Sequence, residues 1–182
     1  MKKTIILLLC FLPIILFAQN ESFFLNASMG YTMSGKFYHG FANEMAVGYK
    51  PIKYAGIKLS VNSVYLYSNE GVHRFSESYT NTGLAIGVIT YPISFRSHGI
   101  NLGAGYCYNF ENHTWAITDD DPCFYGAASS GRNFSFSPYW EAGYFYDFKK
   151  ITLGIQYKQM QIKKYTGGFK NKQFLFSLTK NF

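Results

Sequence analysis

Apolar residues recur at every second position through most of the chain, the period of a pleated strand whose two faces meet different surroundings. Eight such segments can be marked. The first, Phe23 to Met33, puts Phe23, Leu25, Met29 and Tyr31 on one face and Asn26, Ser28, Gly30 and Thr32 on the other. The second, Asn43 to Lys50, sets Met45, Val47 and Tyr49 against Glu44, Ala46 and Gly48. Ile57 to Tyr67, Thr82 to Tyr91 and Ile100 to Glu111 continue the alternation, with Gly, Ser, Asn and isolated charges opposite the apolar face. Asn133 to Asp147, Ile151 to Ile162 and Lys172 to Phe182 complete the set.

The pattern breaks at Lys50 to Gly56, Ser68 to Asn81, Pro92 to Gly99, Asn112 to Arg132, Phe148 to Lys150 and Lys163 to Asn171, where proline, glycine or polar runs interrupt it. Links after the first, third, fifth and seventh segments are long and polar, and the others are shorter. Strands of about ten residues joined alternately by short and long links are expected of an up-and-down barrel crossing a membrane. The predicted fold is therefore all-β, an eight-stranded antiparallel transmembrane barrel. Tyr49, Tyr67, Tyr91, Tyr106, Tyr108, Trp140, Tyr144, Tyr146 and Tyr157 are expected in girdles at its two interfaces.

Ahead of the strands, Lys2 and Lys3 precede an apolar run from Ile5 to Phe17 that closes on Ala18. This reads as a secretory signal peptide over residues 1–19, leaving 20–182 as one barrel domain. Leu7, Leu8 and Leu9 before Cys10 lack the small residue that lipidation of that cysteine needs. Elsewhere no stretch approaches ~18 consecutive apolar residues, so no transmembrane helix is expected.

Composition separates the membrane barrel from its soluble counterpart. Aromatic residues make up 20% of the chain while mean hydropathy is close to zero, as alternation produces. A soluble lipocalin-like barrel would invert the faces, but its exterior needs more charge than the 15% present here. Gly30 is also followed by Tyr31 and Thr32, without the Gly-x-Trp that lipocalins carry on their first strand. Removing the signal peptide leaves 15 Lys and Arg against 10 Asp and Glu. The cations are scattered, with no stripe for nucleic acid; anionic lipid headgroups suit them better.

The last strand is the most specific signal. Phe174, Phe176, Leu178 and the terminal Phe182 share one phase, broken only by Lys180. This resembles the C-terminal assembly signal of bacterial outer-membrane barrels, and the whole chain is similar to the small barrels of the outer-membrane-protein-A and attachment-invasion type. The resemblance implies outer-membrane localisation, contact with lipopolysaccharide, and recognition of the last strand by the barrel-assembly machinery. It also implies a non-enzymatic envelope protein, structural or adhesin-like, that binds through its outer loops. The alternatives are a minor channel for small apolar solutes and a lipid A-modifying enzyme.

Several side chains are candidates for function. Glu44, Lys58, Glu111, Glu141, Asp147 and Lys158 lie on the polar phase, so they should enter the lumen and pair there. If the sixth and seventh strands turn about Lys149 and Lys150, Glu141 sits opposite Lys158. Cys107, expected near the upper end of its strand, and Cys123 either form a disulfide holding the following loop or remain separate thiols. Arg74, Arg132, Lys163, Lys164, Lys170 and Lys172, in or beside outer loops, are candidates for lipopolysaccharide phosphates. Asp119, Asp120 and Asp121 lack the alternate spacing of a calcium loop, so neither metal nor cofactor is expected.

Outer-membrane deacylases carry a His and a Ser two apart on the penultimate strand, where this chain has Lys158, Gln159 and Met160. His39, read as a loop residue, and Ser76-Glu77-Ser78 are the remaining polar set for a palmitoyltransferase-like site. They lack that family's Asp-Ser pair.

Overall fold

The computed structural model describes residues 23–35, 38–70, 75–117, 128–149, 151–162 and 169–182. The signal-peptide segment lies outside them. Eight strands follow in order: β1 Phe23–Ser34, β2 Tyr38–Ile52, β3 Ala55–Glu70, β4 Phe75–Phe95, β5 His98–Ile117, β6 Ala128–Phe148, β7 Ile151–Ile162 and β8 Phe169–Asn181. Each pairs antiparallel with the next, and β8 pairs with β1 to close the barrel. Closure runs from Ser34 opposite Asn171 to Phe24 opposite Asn181, and the Phe182 amide donates to the Phe23 carbonyl at 2.9 Å. The terminal strand thus removes the edge that an open sheet would leave unpaired.

The apolar phase points outward. Met45, Leu84, Ile86, Ile155, Phe176 and Leu178 are all at least half exposed, and the buried set is dominated by Ser, Asn, Gln, Glu and Lys. In water this arrangement would expose far more apolar surface than a soluble domain tolerates; in lipid it is the stable one. On β5 the outward apolar residues run from Ile100 to Phe110, and on β6 from Tyr144 to Phe134. Ten steps of about 3.3 Å, tilted by about 40°, rise about 25 Å, the height of a barrel's hydrocarbon belt.

The two ends of the barrel differ. One carries turns at residues 53–54, 96–97 and at Lys149. Arg96 (φ 54°) and Lys149 (φ 72°) supply the left-handed conformation that two-residue hairpins demand. At the other end the strands overrun the expected boundaries. β4 and β6 have 21 residues and β5 has 20, against 12 for β1 and β7. Ser68 to Asn81 and Asn112 to Arg132, expected as loops, are largely strand: Glu70 pairs with Phe75, and Ala116 with Ala128. The first connection shrinks correspondingly to residues 35–37, with Ser34 opposite Tyr38 and Gly35 at φ 65°.

Lys50 to Gly56 and Pro92 to Gly99 are also mostly strand, because register shifts between Tyr49 and Ile52 and between Thr90 and Ile93 absorb the prolines. At the second shift Tyr91 turns into the barrel mouth beside Phe145, leaving the girdle expected for it. Tyr106 likewise sits mid-belt, stacked on Phe136 with centroids 5.0 Å apart.

Candidate functional site: the barrel lumen and its two mouths

Glu44 on β2, Lys58 on β3, Glu141 on β6 and Lys158 on β7 meet inside the barrel, each with a side chain no more than 4% exposed. The Lys58 ammonium donates to Glu44 Oε1 at 3.0 Å and to both oxygens of Glu141, at 2.5 and 2.6 Å. Lys158 Nζ donates to Glu44 Oε2 and lies 4.4 Å from the centroid of the Tyr139 ring. The four charges form a neutral chain, Glu141, Lys58, Glu44, Lys158. Glu141 and Lys158 are directly opposite in the register. Their ion pairs nevertheless cross the lumen, from β6 to β3 and from β7 to β2. Eight strands bring opposite walls within side-chain reach, so a buried charge can select a partner beyond its neighbouring strand.

Glycine makes room for the cluster. Gly103 lies opposite Glu141, and a Cβ added there would stand 2.7 Å from Glu141 Cγ. Beside the charges, the Asn81 amide donates to Asn109 Oδ1 at 2.9 Å, and Gln173 to Asn171 at 2.8 Å. Val64, Leu66, Tyr79, Met160 and Leu175 fill further lumen space and are nearly or fully buried. These inward apolar residues and the amide ladder are absent from the sequence-derived set. Their common signal is parity alone: Val64 and Leu66 share the phase of Lys58, Met160 that of Lys158, Asn109 that of Glu111, Tyr79 that of Asn81, and Leu175 that of Gln173.

The other expected lumen charges stand apart from the cluster. Glu111 accepts from the Ser135 hydroxyl. Asp147, near the short-turn end, accepts from Thr152 Oγ1 at 3.5 Å. It lines a cavity of about 200 Å³ with Lys50, Asn26 and Asn181. Cys107 is a free, fully buried thiol at mid-strand, donating to Asn109 Oδ1 at 3.2 Å. It is not near the barrel mouth, because β5 continues to Ile117. Cys123 and the Asp119 to Asp121 run lie outside the described residues.

Arg74, Lys163 and Lys164 also lie outside them. Arg132, Lys170 and Lys172 are exposed strand residues on the outward phase; β6 and β8 begin earlier than the sequence pattern suggests, which brings Arg132 and Lys170 into strand beside Lys172, already read as strand. Phe174, Phe176 and Leu178 are 46%, 68% and 51% exposed on β8, and Lys180 lies over the Phe182 ring at 4.8 Å.

The polar set considered for acyl-transfer chemistry is dispersed. His39 belongs to β2, faces outward, and its Nδ1 shares a hydrogen bond with the Tyr31 hydroxyl. In the register Tyr67 stands between His39 and Ser78. Glu77 points into the opposite face, where it accepts from the Tyr38 hydroxyl and lies 3.6 Å from His113 Nε2.

No protein-family model matches the chain, and no curated protein sequence matches it. Solved structures do. Neisserial surface protein A superposes over 90% of this chain and 98% of its own, with a TM-score of 0.64 at 12% identity. A major outer-membrane protein of Thermus thermophilus covers 88% of this chain and 98% of its own (TM-score 0.57, 16% identity). The attachment invasion locus protein of Yersinia pestis, solved with the heparin analogue sucrose octasulfate, covers 87% of this chain and 98% of its own (TM-score 0.53, 12% identity). The chain has the fold of the small eight-stranded outer-membrane barrels, with its apolar phase on the outside of the barrel.

Proposed function

We propose that this protein is a non-enzymatic, non-conducting element of the outer membrane that acts through its outward end, as an envelope-stabilising or surface-binding protein. The observation that carries the reading is the cross-lumen charge chain. Glu44, Lys58, Glu141 and Lys158, with the amides and apolar side chains around them, occupy the space a channel would need. A sealed barrel leaves the ends as working surfaces. β3 to β6 extend furthest at the end bearing the longer links, which in outer-membrane barrels faces outside. The sulfated ligand of the Yersinia protein suggests one class of surface partner, an anionic glycan, for which Arg132, Lys170 and Lys172 are outward-facing cations at that end among the described residues. Phe174, Phe176, Leu178 and Phe182 would serve as the assembly signal on the last strand.

Planar-bilayer recording of the purified chain tests sealing, with no stepwise conductance expected; stable open channels would refute it. Deleting the protein should then change detergent sensitivity or adherence while leaving lipid A composition as it was. A lipid A mass shift upon expression would replace this reading with an enzymatic one.

A further inference from the structure

The cavity of about 200 Å³ at the short-turn end reaches inward as far as Lys58. The Lys58 ammonium is already held by Glu44 and Glu141, so the charge chain forms the floor and the chamber is blind. Its walls mix hydroxyls and amides of β7 and β8 with the rings of Phe24, Tyr91 and Phe145. Tyr91 and Phe145 meet edge to face, with centroids 5.7 Å apart.

Two opposite charges border this space without meeting. Lys50 Nζ stands 5.0 Å from the Phe24 ring centroid and 4.6 Å from that of Tyr91, and it donates to Asn181 Oδ1 at 3.3 Å. Among the described residues no carboxylate oxygen comes within 4.0 Å of it. Asp147 accepts one long hydrogen bond, 3.5 Å, from Thr152. An ammonium donates more than once and a carboxylate accepts several bonds, so both groups keep most of their capacity. Lys50 is on β2 and Asp147 on β6, four places apart in a ring of eight strands and therefore on opposite walls. Asn101 Oδ1, on β5, is a buried acceptor with no partner in a residue that lines the same chamber.

We propose that this chamber binds a dipeptide-sized zwitterion, with a free carboxylate at one end and a free ammonium at the other. The carboxylate meets Lys50, and the ammonium meets Asp147 and Asn101 Oδ1. Small apolar side chains then lie against Tyr91 and Phe145. A site of one sign would select an anion or a cation; opposite charges on facing walls select a molecule that carries both. Lys53 also borders the mouth, but it is exposed and water screens it. A cavity of about 150 Å³ holds benzene, so this one accommodates a somewhat larger molecule. In outer-membrane barrels the short turns face the periplasm, which makes that compartment the source. That placement rests on the outer-membrane reading above, whereas the binding chemistry does not.

The full chain, folded in nanodiscs, is titrated with alanylalanine, with its N-acetyl form and with its C-terminal amide. Side-chain amide signals of Asn26, Asn101, Gln156 and Asn181 report binding by NMR. Alanylalanine should shift them saturably, and each blocked form should bind about tenfold more weakly, the worth of one hydrogen bond to a charged group. Lys50→Met should weaken alanylalanine to the level of its amide while leaving the amide's own affinity unchanged. Asp147→Asn should weaken it to the level of the N-acetyl form, again without changing that form.

No saturable shift with alanylalanine, equal affinity for free and blocked dipeptide, or variants that weaken all three compounds alike would overturn the proposal. Stepwise conductance in planar bilayers would instead defeat the sealed-barrel reading, and it would leave these relative affinities as they are.

Discussion

Glu44 accepts from two ammonium groups, Lys58 on the neighbouring strand and Lys158 across the lumen, so Glu44→Gln is the most informative single change. The variant keeps size and burial but removes the negative charge, leaving three buried charges with a net excess of one cation. Breaking a buried pair from one side costs about 3–5 kcal/mol, because the abandoned ion stays desolvated. Lys58 keeps both oxygens of Glu141, so the burden falls on Lys158. Lys158 has a partial escape, since Glu141 is directly opposite it in the register. Sharing that carboxylate should return part of the loss, for a net destabilisation of about 2–3 kcal/mol.

Adding Lys158→Met to Glu44→Gln restores neutrality, leaves the Lys58 to Glu141 pair intact, and should recover most of the stability. Urea titration of folding in liposomes, read by the difference in gel mobility between folded and unfolded barrel, measures each step. A Glu44→Gln variant within about 0.5 kcal/mol of wild type, or a double variant less stable than either single, would refute the cross-lumen assignment.

Other predictions follow from the same geometry. Gly103→Ala should cost about 1–3 kcal/mol in that titration, because the new methyl meets the Glu141 side chain inside the 2.7 Å approach and the packed lumen yields little. Phe176→Lys, on the lipid face between Met29 and Ile155, should cost about 2–4 kcal/mol, the penalty of a cation near mid-bilayer; no loss would mean that this face does not meet lipid. The Cys107 thiol should resist a water-soluble maleimide in the folded barrel and react upon unfolding, whereas labelling of the native state would show an open lumen.

Alternation reveals strands wherever the two faces meet different media. Ile151 to Ile162 is legible to the residue, as is Glu141 facing Lys158, because lipid stands on one side and the lumen on the other and the intervening turn is tight. The contrast disappears beyond the belt. Ser68 to Asn81 and Asn112 to Arg132 carry few apolar residues and no sustained apolar phase, so their pattern resembles loop although backbone pairing continues through much of each.

Proline misleads for a related reason. Pro51 and Pro92 sit at register shifts, where a missing amide disrupts little. Pro138 marks the point above which β6 has no described pairing with β7, which begins at Tyr139 opposite Met160. The ion-pair partners are illegible for a different reason: period and turn position identify adjacent strands, while the bonds of Lys58 to Glu141 and Lys158 to Glu44 depend on closure of the whole ring. Val64, Leu66 and Leu175 complete the picture, as apolar residues on the inward phase that pack the lumen.

Which phase meets lipid can be measured on native residues. A nanodisc sample with isotope-labelled Ile, Leu and Val methyl groups and a lipid bearing a paramagnetic label in its acyl chain reports the distance of each methyl from the hydrocarbon. Leu84, Ile86, Ile155 and Leu178 should broaden strongly, while Val64, Leu66 and Leu175 remain sharp. The reverse pattern, or equal broadening of both sets, would contradict the account.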